Sequence, residues 1–241
     1  MIQAILFDLD DTLLGNDADT FVPCYFDLLG EYATKYFPRD KFLQELLICT
    51  QMTINNTDAT LTNHAVFWQI FAHRTGLDPV EMEHFFDKFY RDIFPQLESV
   101  TQQRPCTPTL VQTSFDLGLK VVVATNPLFP RRAIEERIAW AQVPVQQYDY
   151  TLVTTMENMH ATKPHQAYYE EILAAIDCPP QAALMIGDSW KNDIQPAVGL
   201  GLSTYWIPTK EPQPPDENFC TAYGSLEELN EKVQSGWLES L

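Results

Sequence analysis

The stretch Ala4-Ile5-Leu6-Phe7-Asp8-Leu9-Asp10-Asp11-Thr12 is a short apolar run that ends abruptly in acids. Apolar residues that do not alternate with polar ones suit a strand buried on both faces, as in a parallel sheet covered by helices on either side. The same texture returns further along the chain. Val121–Ala124 ends at Thr125 and Asn126, Thr151–Val153 at Thr154 and Thr155, Ala183–Ile186 at Gly187 and Asp188, and Ser203–Ile207 at Pro208. Helix-length segments are predicted between them, at Thr109–Leu117, Arg131–Ala141, Gln166–Ile176 and Lys191–Val198. Strands alternating with helices predict a doubly wound α/β fold. In such sheets the ligand crevice lies beyond the carboxyl ends of the strands, so the residues ending these runs are the place to look for chemistry.

Between Gly15 and Glu98 no strand-like run occurs. Apolar residues fall at helical spacing instead, most strongly at Phe85, Phe86, Phe89, Tyr90, Ile93 and Phe94, and four amphipathic helices fit the segment. These aromatic stripes are expected to be core, not the lining of a cofactor pocket. The division that follows is a catalytic core of residues 1–15 and 99–241 with an all-helical cap of residues 16–98 inserted after the first strand.

The composition narrows the function. The 241 residues are 45% hydrophobic, ample for a sizeable core, and carry 33 Asp and Glu against 15 Lys and Arg, a formal charge of −18. A surface this negative repels phosphate backbones and anionic headgroups, so neither nucleic acid nor a membrane surface is an expected partner. The first residues lack a basic leader and reach acids within one strand's length, unlike a signal peptide. Cys24, Cys49, Cys106, Cys178 and Cys220 are odd in number and form no CxxC. They read as free thiols in a reducing compartment, and a cytoplasmic location is expected. Pro208–Pro215, with four prolines, reads as a surface loop.

Alternate residues at a strand end point the same way, so Asp8 and Asp10 can converge on one spot, where two carboxylates call for a divalent cation or one raised pKa. A turn would use the same aspartates. Thr125 offers a hydroxyl beside backbone amides, suited equally to a phosphate oxygen or to capping a helix. Lys163 precedes Pro164 at an expected helix start, from which an ammonium can reach the crevice. In Gly187-Asp188-Ser189-Trp190-Lys191-Asn192-Asp193, the glycine permits a tight turn and Ser189 can cap a helix that brings Asp193 back to Asp188. Both are oxygen ligands for a hard cation. Thr53–His64 is polar and joins two cap helices, facing either crevice or solvent. Capping alone does not account for four such clusters at the ends of successive strands.

Taken together, DLDDTLL, VVVATN, the Lys163 of ATKPHQAYYE, and GDSWKND resemble the four motifs of the haloacid dehalogenase-like hydrolase superfamily, and the resemblance spans the chain, helical cap included. It implies a Rossmann-like core with a central first strand, a magnesium ion and an aspartyl nucleophile. By that resemblance Asp8 is the nucleophile and Asp10 the general acid and base. Thr125, Asn126 and Lys163 bind the substrate phosphate, and Asp8, Asp10 (through its backbone carbonyl), Asp188 and Asp193 serve the metal. An acid at position 10 favours phosphate esters over carbon–halogen bonds, because an alkoxide needs a proton to leave and a halide does not. The implied activity is hydrolysis of a small phosphorylated metabolite through an aspartyl-phosphate. A phosphomutase keeps both aspartates and is the alternative, followed by a phosphate-accepting receiver and a non-catalytic binding protein.

Overall fold

The structure is a computed structural model that describes residues 1–209, 213–216 and 218–241. Six parallel strands form the main sheet in the order β5-β4-β1-β6-β7-β8. They are β1 (Ala4–Phe7), β4 (Lys120–Val123), β5 (Leu152–Val153), β6 (Ala183–Gly187), β7 (Ser203–Trp206) and β8 (Ala222–Tyr223). Every residue of β1 is buried, because the sheet is covered on both faces. Ile5 and Phe7 pack with Leu110, Ile134 and Leu229, from helices α5 (Thr107–Asp116), α6 (Arg131–Trp140) and α9 (Leu226–Gln234). Ala4 and Leu6 face the other way, against Tyr168, Ile172 and Ala197 of α7 (Gln166–Ala175) and α8 (Gln195–Gly199). Adjacent residues of one strand thus serve two cores, which is why the runs do not alternate.

The register sets up the site. Phe7 is paired with both Val123 and Ile186, so β1 and β4 end level and β6 runs one residue further. The residues just beyond them, Asp8, Thr125 and Asp188, emerge along one edge of the sheet.

Between β1 and β4 lie α1 (Ala18–Tyr32), α2 (Arg39–Ile54), α3 (Asn63–Thr75) and α4 (Pro79–Asp92). Local chemistry sets the α3–α4 turn. Gly76, at φ 73°, ends α3, Asp78 accepts from the Glu81 amide at 2.9 Å, and Pro79 opens α4. Aromatic rings fill the space among the helices: Phe42 stacks on Phe86 at 5.4 Å, and Phe89 meets Tyr32 at 5.4 Å and Tyr25 at 6.2 Å. The two ends of this helical stretch are clipped together by a small antiparallel pair, β2 (Leu14–Gly15) with β3 (Gln102–Gln103).

Several details differ from the sequence expectation. The predicted helix Lys191–Val198 is a π-helical turn, Trp190–Ile194, followed by α8. Helix α7 begins at Gln166, so Pro164 precedes it instead of opening it. Strand β8 and helix α9 were not anticipated, although Ser225 and Glu228 form a full capping box at the start of α9. The expected 208–215 loop falls partly outside the described residues. Among the described residues no helix is long and apolar enough to cross a membrane.

Phe89 is fully buried at the centre of the aromatic packing. Phe89→Ala is expected to lower stability by about 3–5 kcal/mol, read from the denaturant midpoint. A loss under about 1 kcal/mol would show that the ring is not central to the cap.

Candidate active site

Lys163 is the hub of the site. Its side chain is 3% exposed, and its ammonium donates to Asp8 Oδ1 at 2.7 Å and to Asp193 Oδ1 at 2.6 Å. Carboxylate oxygens of Asp8, Asp188 and Asp193 all lie within 4.8 Å of one another. Residues 155 positions apart in sequence thus meet beyond the neighbouring ends of β1 and β6.

Each arm of this cluster is braced from behind. The other Asp193 oxygen, Oδ2, accepts from the Ser189 amide at 3.0 Å, and the Ser189 hydroxyl accepts from the Asn192 amide at 3.2 Å, closing the turn. The Trp206 indole donates to the Asp188 carbonyl at 2.6 Å, tying that loop to β7. Gly187 is required sterically: a Cβ there would sit 2.3 Å from Asp193 Oδ2. Thr125 is held through its carbonyl, which accepts from Thr154 Oγ1 at 2.7 Å and from the Tyr168 hydroxyl at 2.8 Å. The Asn126 side chain accepts from the Lys163 amide at 3.3 Å, joining the loops after β4 and β5.

The Asp10 side chain stands apart from the three-carboxylate cluster. One of its oxygens accepts from Asn16 Nδ2 at 2.6 Å, and the other is ion-paired with Arg137 of α6. Sequence reasoning missed Arg137. A signal was present, since it occupies the apolar stripe of α6 together with Ala133, Ile134 and Ile138, where a charged residue is out of place. Asn63 was not singled out either, although it lies next to the end of the polar 53–64 segment. Fully buried, it donates through its side chain to the Ala161 carbonyl at 3.1 Å and through its amide to the Met159 carbonyl at 2.8 Å. His165 contacts the Ile54 carbonyl at 3.1 Å. Both ends of that segment therefore dock on the loop carrying Lys163, while its middle is exposed to solvent.

A cavity of about 750 Å³ lies between the cap helices and α6, walled by Tyr25, Trp68, Phe86, Tyr90 and Phe129. None of the seven site residues expected from sequence lines it. The aromatic stripes thus do two things, filling the cap core and enclosing this space.

Electrostatics explain what the cluster needs. Burial, followed by repulsion from Asp193 and Asp10, raises the Asp8 carboxyl to about 7 despite the pull of Lys163. Burial and the neighbouring Asp8 and Asp193 carry Asp188 to about 8. Burial opposes the charge on Lys163, but Asp193 and Asp8 outweigh it and hold its ammonium well above the ordinary lysine value. One ammonium among three carboxylates leaves the cluster short of positive charge. An all-oxygen donor set in that condition fits a hard divalent cation.

Residues 5–207 match the haloacid dehalogenase-like hydrolase family. The chain belongs to that family. As a haloacid dehalogenase-like hydrolase it is similar to the pyrophosphatase PpaX of Bacillus mycoides, with 22% identity over 204 residues covering 84% of this chain and 82% of the relative. Its fold is shared with a 2-haloacid dehalogenase from Pseudomonas syringae (TM-score 0.65, 20% identity, 98% and 100% of the two chains). A HAD phosphatase from Thermococcus onnurineus is also similar (TM-score 0.60, 19% identity, 96% and 98% of the two chains).

Two measurements probe the site. Gly187→Ala is expected to displace Asp193 and to abolish turnover while the protein stays folded; activity above about a tenth of wild type would contradict the steric role. The raised acids also predict a pH dependence. Unfolded carboxyls release protons near 3.8, whereas Asp8 and Asp188 hold theirs to about 7 and about 8, so their contribution to stability is full at low pH and declines across that window. In chelator, the melting temperature of Asp188→Asn should fall less between about pH 5 and pH 8 than that of wild type. Equal falls would place no such charge at Asp188.

Proposed function

We propose that this chain is a magnesium-dependent phosphatase of small organic phosphate monoesters, working through an aspartyl-phosphate on Asp8. The observation that carries the reading is the buried Asp8–Lys163–Asp193 triad with Asp188 beside it. A carboxylate held next to an ammonium in a desolvated site is suited to attack a phosphate, whose negative charge the ammonium offsets.

In this reading an Asp8 oxygen attacks phosphorus, forming the acyl-phosphate bond as the bond to the leaving oxygen breaks. Asp10 gives that oxygen a proton, then takes one from the water that attacks the same phosphorus. Inorganic phosphate leaves and Asp8 is restored. Lys163, Thr125 and Asn126 hold the phosphoryl oxygens. Asp8, Asp188 and Asp193, with the Asp10 carbonyl, are the residues that would hold Mg²⁺, which when bound supplies charge neutralisation between the phosphate and the carboxylates. We further assign residues 16–98 to a cap and residues 1–15 and 99–241 to the core. The docking of Asn63 onto the Ala161 carbonyl supports a cap that shields the crevice from bulk water and so favours small metabolites. The free thiols of Cys24, Cys49, Cys106 and Cys178 fit a cytoplasmic location.

Purified protein screened against a panel of phosphorylated metabolites should release inorganic phosphate from at least one monoester. Chelator or Asp8→Asn should reduce that release by more than about 1000-fold. Turnover retained in Asp8→Asn would exclude the covalent step. Transfer of the phosphoryl group to a second position of the substrate, without free phosphate, would make the enzyme a mutase.

A further inference from the structure

We propose that Arg137 is the positioning residue for Asp10, fixing the side-chain orientation from which Asp10 serves the leaving oxygen and the attacking water. The proposal rests on the phosphatase reading for the role of Asp10, and on geometry for the role of Arg137.

Arg137 is itself immobilised. Its guanidinium lies over the Phe129 ring at 4.5 Å, and its Nε donates to the Ala133 carbonyl at 3.2 Å, one turn back along α6. With its side chain only 2% exposed, water does not compete for its donors, whereas the Asp10 side chain remains 32% exposed. The pair thus joins a buried anchor to an accessible working group. Asn16 engages the second Asp10 oxygen, so both oxygens of the carboxylate are held.

Stability alone is a poor reason for this arrangement. An apolar side chain of similar length would pack between Phe129 and the helix without the desolvation of a guanidinium. The remaining nitrogen, NH2, is buried with no partner among the described residues, so the cation is not fully satisfied even here. What Arg137 supplies that an apolar residue would not is a fixed, planar donor aimed at Asp10.

The test compares Arg137→Met and Arg137→Lys with wild type, using 4-nitrophenyl phosphate and a simple alkyl phosphate. For Arg137→Met, kcat on the alkyl ester should fall by roughly 100-fold with KM changed less than about threefold. The first-turnover release of nitrophenol, which needs little proton donation, should fall by less than about tenfold. A burst followed by slow turnover should appear, because water activation fails on the phosphorylated enzyme. Arg137→Lys, which keeps a cation without the planar fork, should recover part of the loss. Equal losses on both esters, or no loss on either, would overturn the proposal. Crystal structures of wild type and Arg137→Met decide the same point without turnover. The Asp10 carboxylate should leave its wild-type orientation, and its retention there, bonded to Asn16, would overturn the proposal. Should wild type hydrolyse neither ester, the phosphatase reading fails, while the crystallographic comparison still decides whether Arg137 orients Asp10.

Discussion

The ammonium of Lys163, shared between Asp8 and Asp193 in a site closed to water, is the interaction around which the rest is arranged. An unpaired buried ion is strongly unfavourable, so each of these three side chains is tolerable only because the others are present. The neighbouring ends of β1 and β6 bring Asp8 and Asp188 to one edge, the turn closed by Ser189 returns Asp193 to it, and the absence of a side chain at Gly187 leaves Asp193 room. The doubly wound sheet is what makes this possible, since only strands covered on both faces end together over a single dry crevice.

The same constraint separates the surroundings of the two aspartates of the first motif. Asp8 belongs to the buried, cation-poor cluster. Asp10, two residues on, is turned to Asn16 and Arg137 and remains partly exposed. One strand end thus delivers two carboxylates into different surroundings, which suits the separate nucleophilic and proton-transferring roles proposed for them. Lys163 serves the first environment and Arg137 the second. The two cations are not interchangeable, because one is a compact point charge between carboxylates and the other a planar donor stacked on Phe129.

Much of this was legible in the sequence. The apolar runs before Asp8, Thr125 and Asp188 mark buried strands, and the acids and hydroxyls that end them mark the crevice. The GDSWKND segment carries both the glycine and the capping serine that its turn uses. Less was legible where tertiary contacts decide. Arg137 lies on the apolar stripe of α6, but its pairing with Asp10 shows only once the helix is packed, and Asn63 looks like part of a solvated loop until it is seen bonded to Ala161. The π-helical turn at Trp190–Ile194 departs from simple helical spacing because it must hold Asp193 against the Ser189 amide. Helix α9 was missed despite its capping box, whereas β8 is only two residues long and leaves almost no pattern to read.

Three carboxylates against one ammonium leave the acidic cluster two positive charges short, a deficit that a bound divalent cation would fill. Calorimetric titration of the metal-free protein with Mg²⁺, in buffers of different ionisation enthalpy near neutral pH, tests it most directly. The account expects binding with release of protons from the cluster, lost in Asp188→Asn. Absence of binding, or binding with no proton released and unaltered by that substitution, would contradict it.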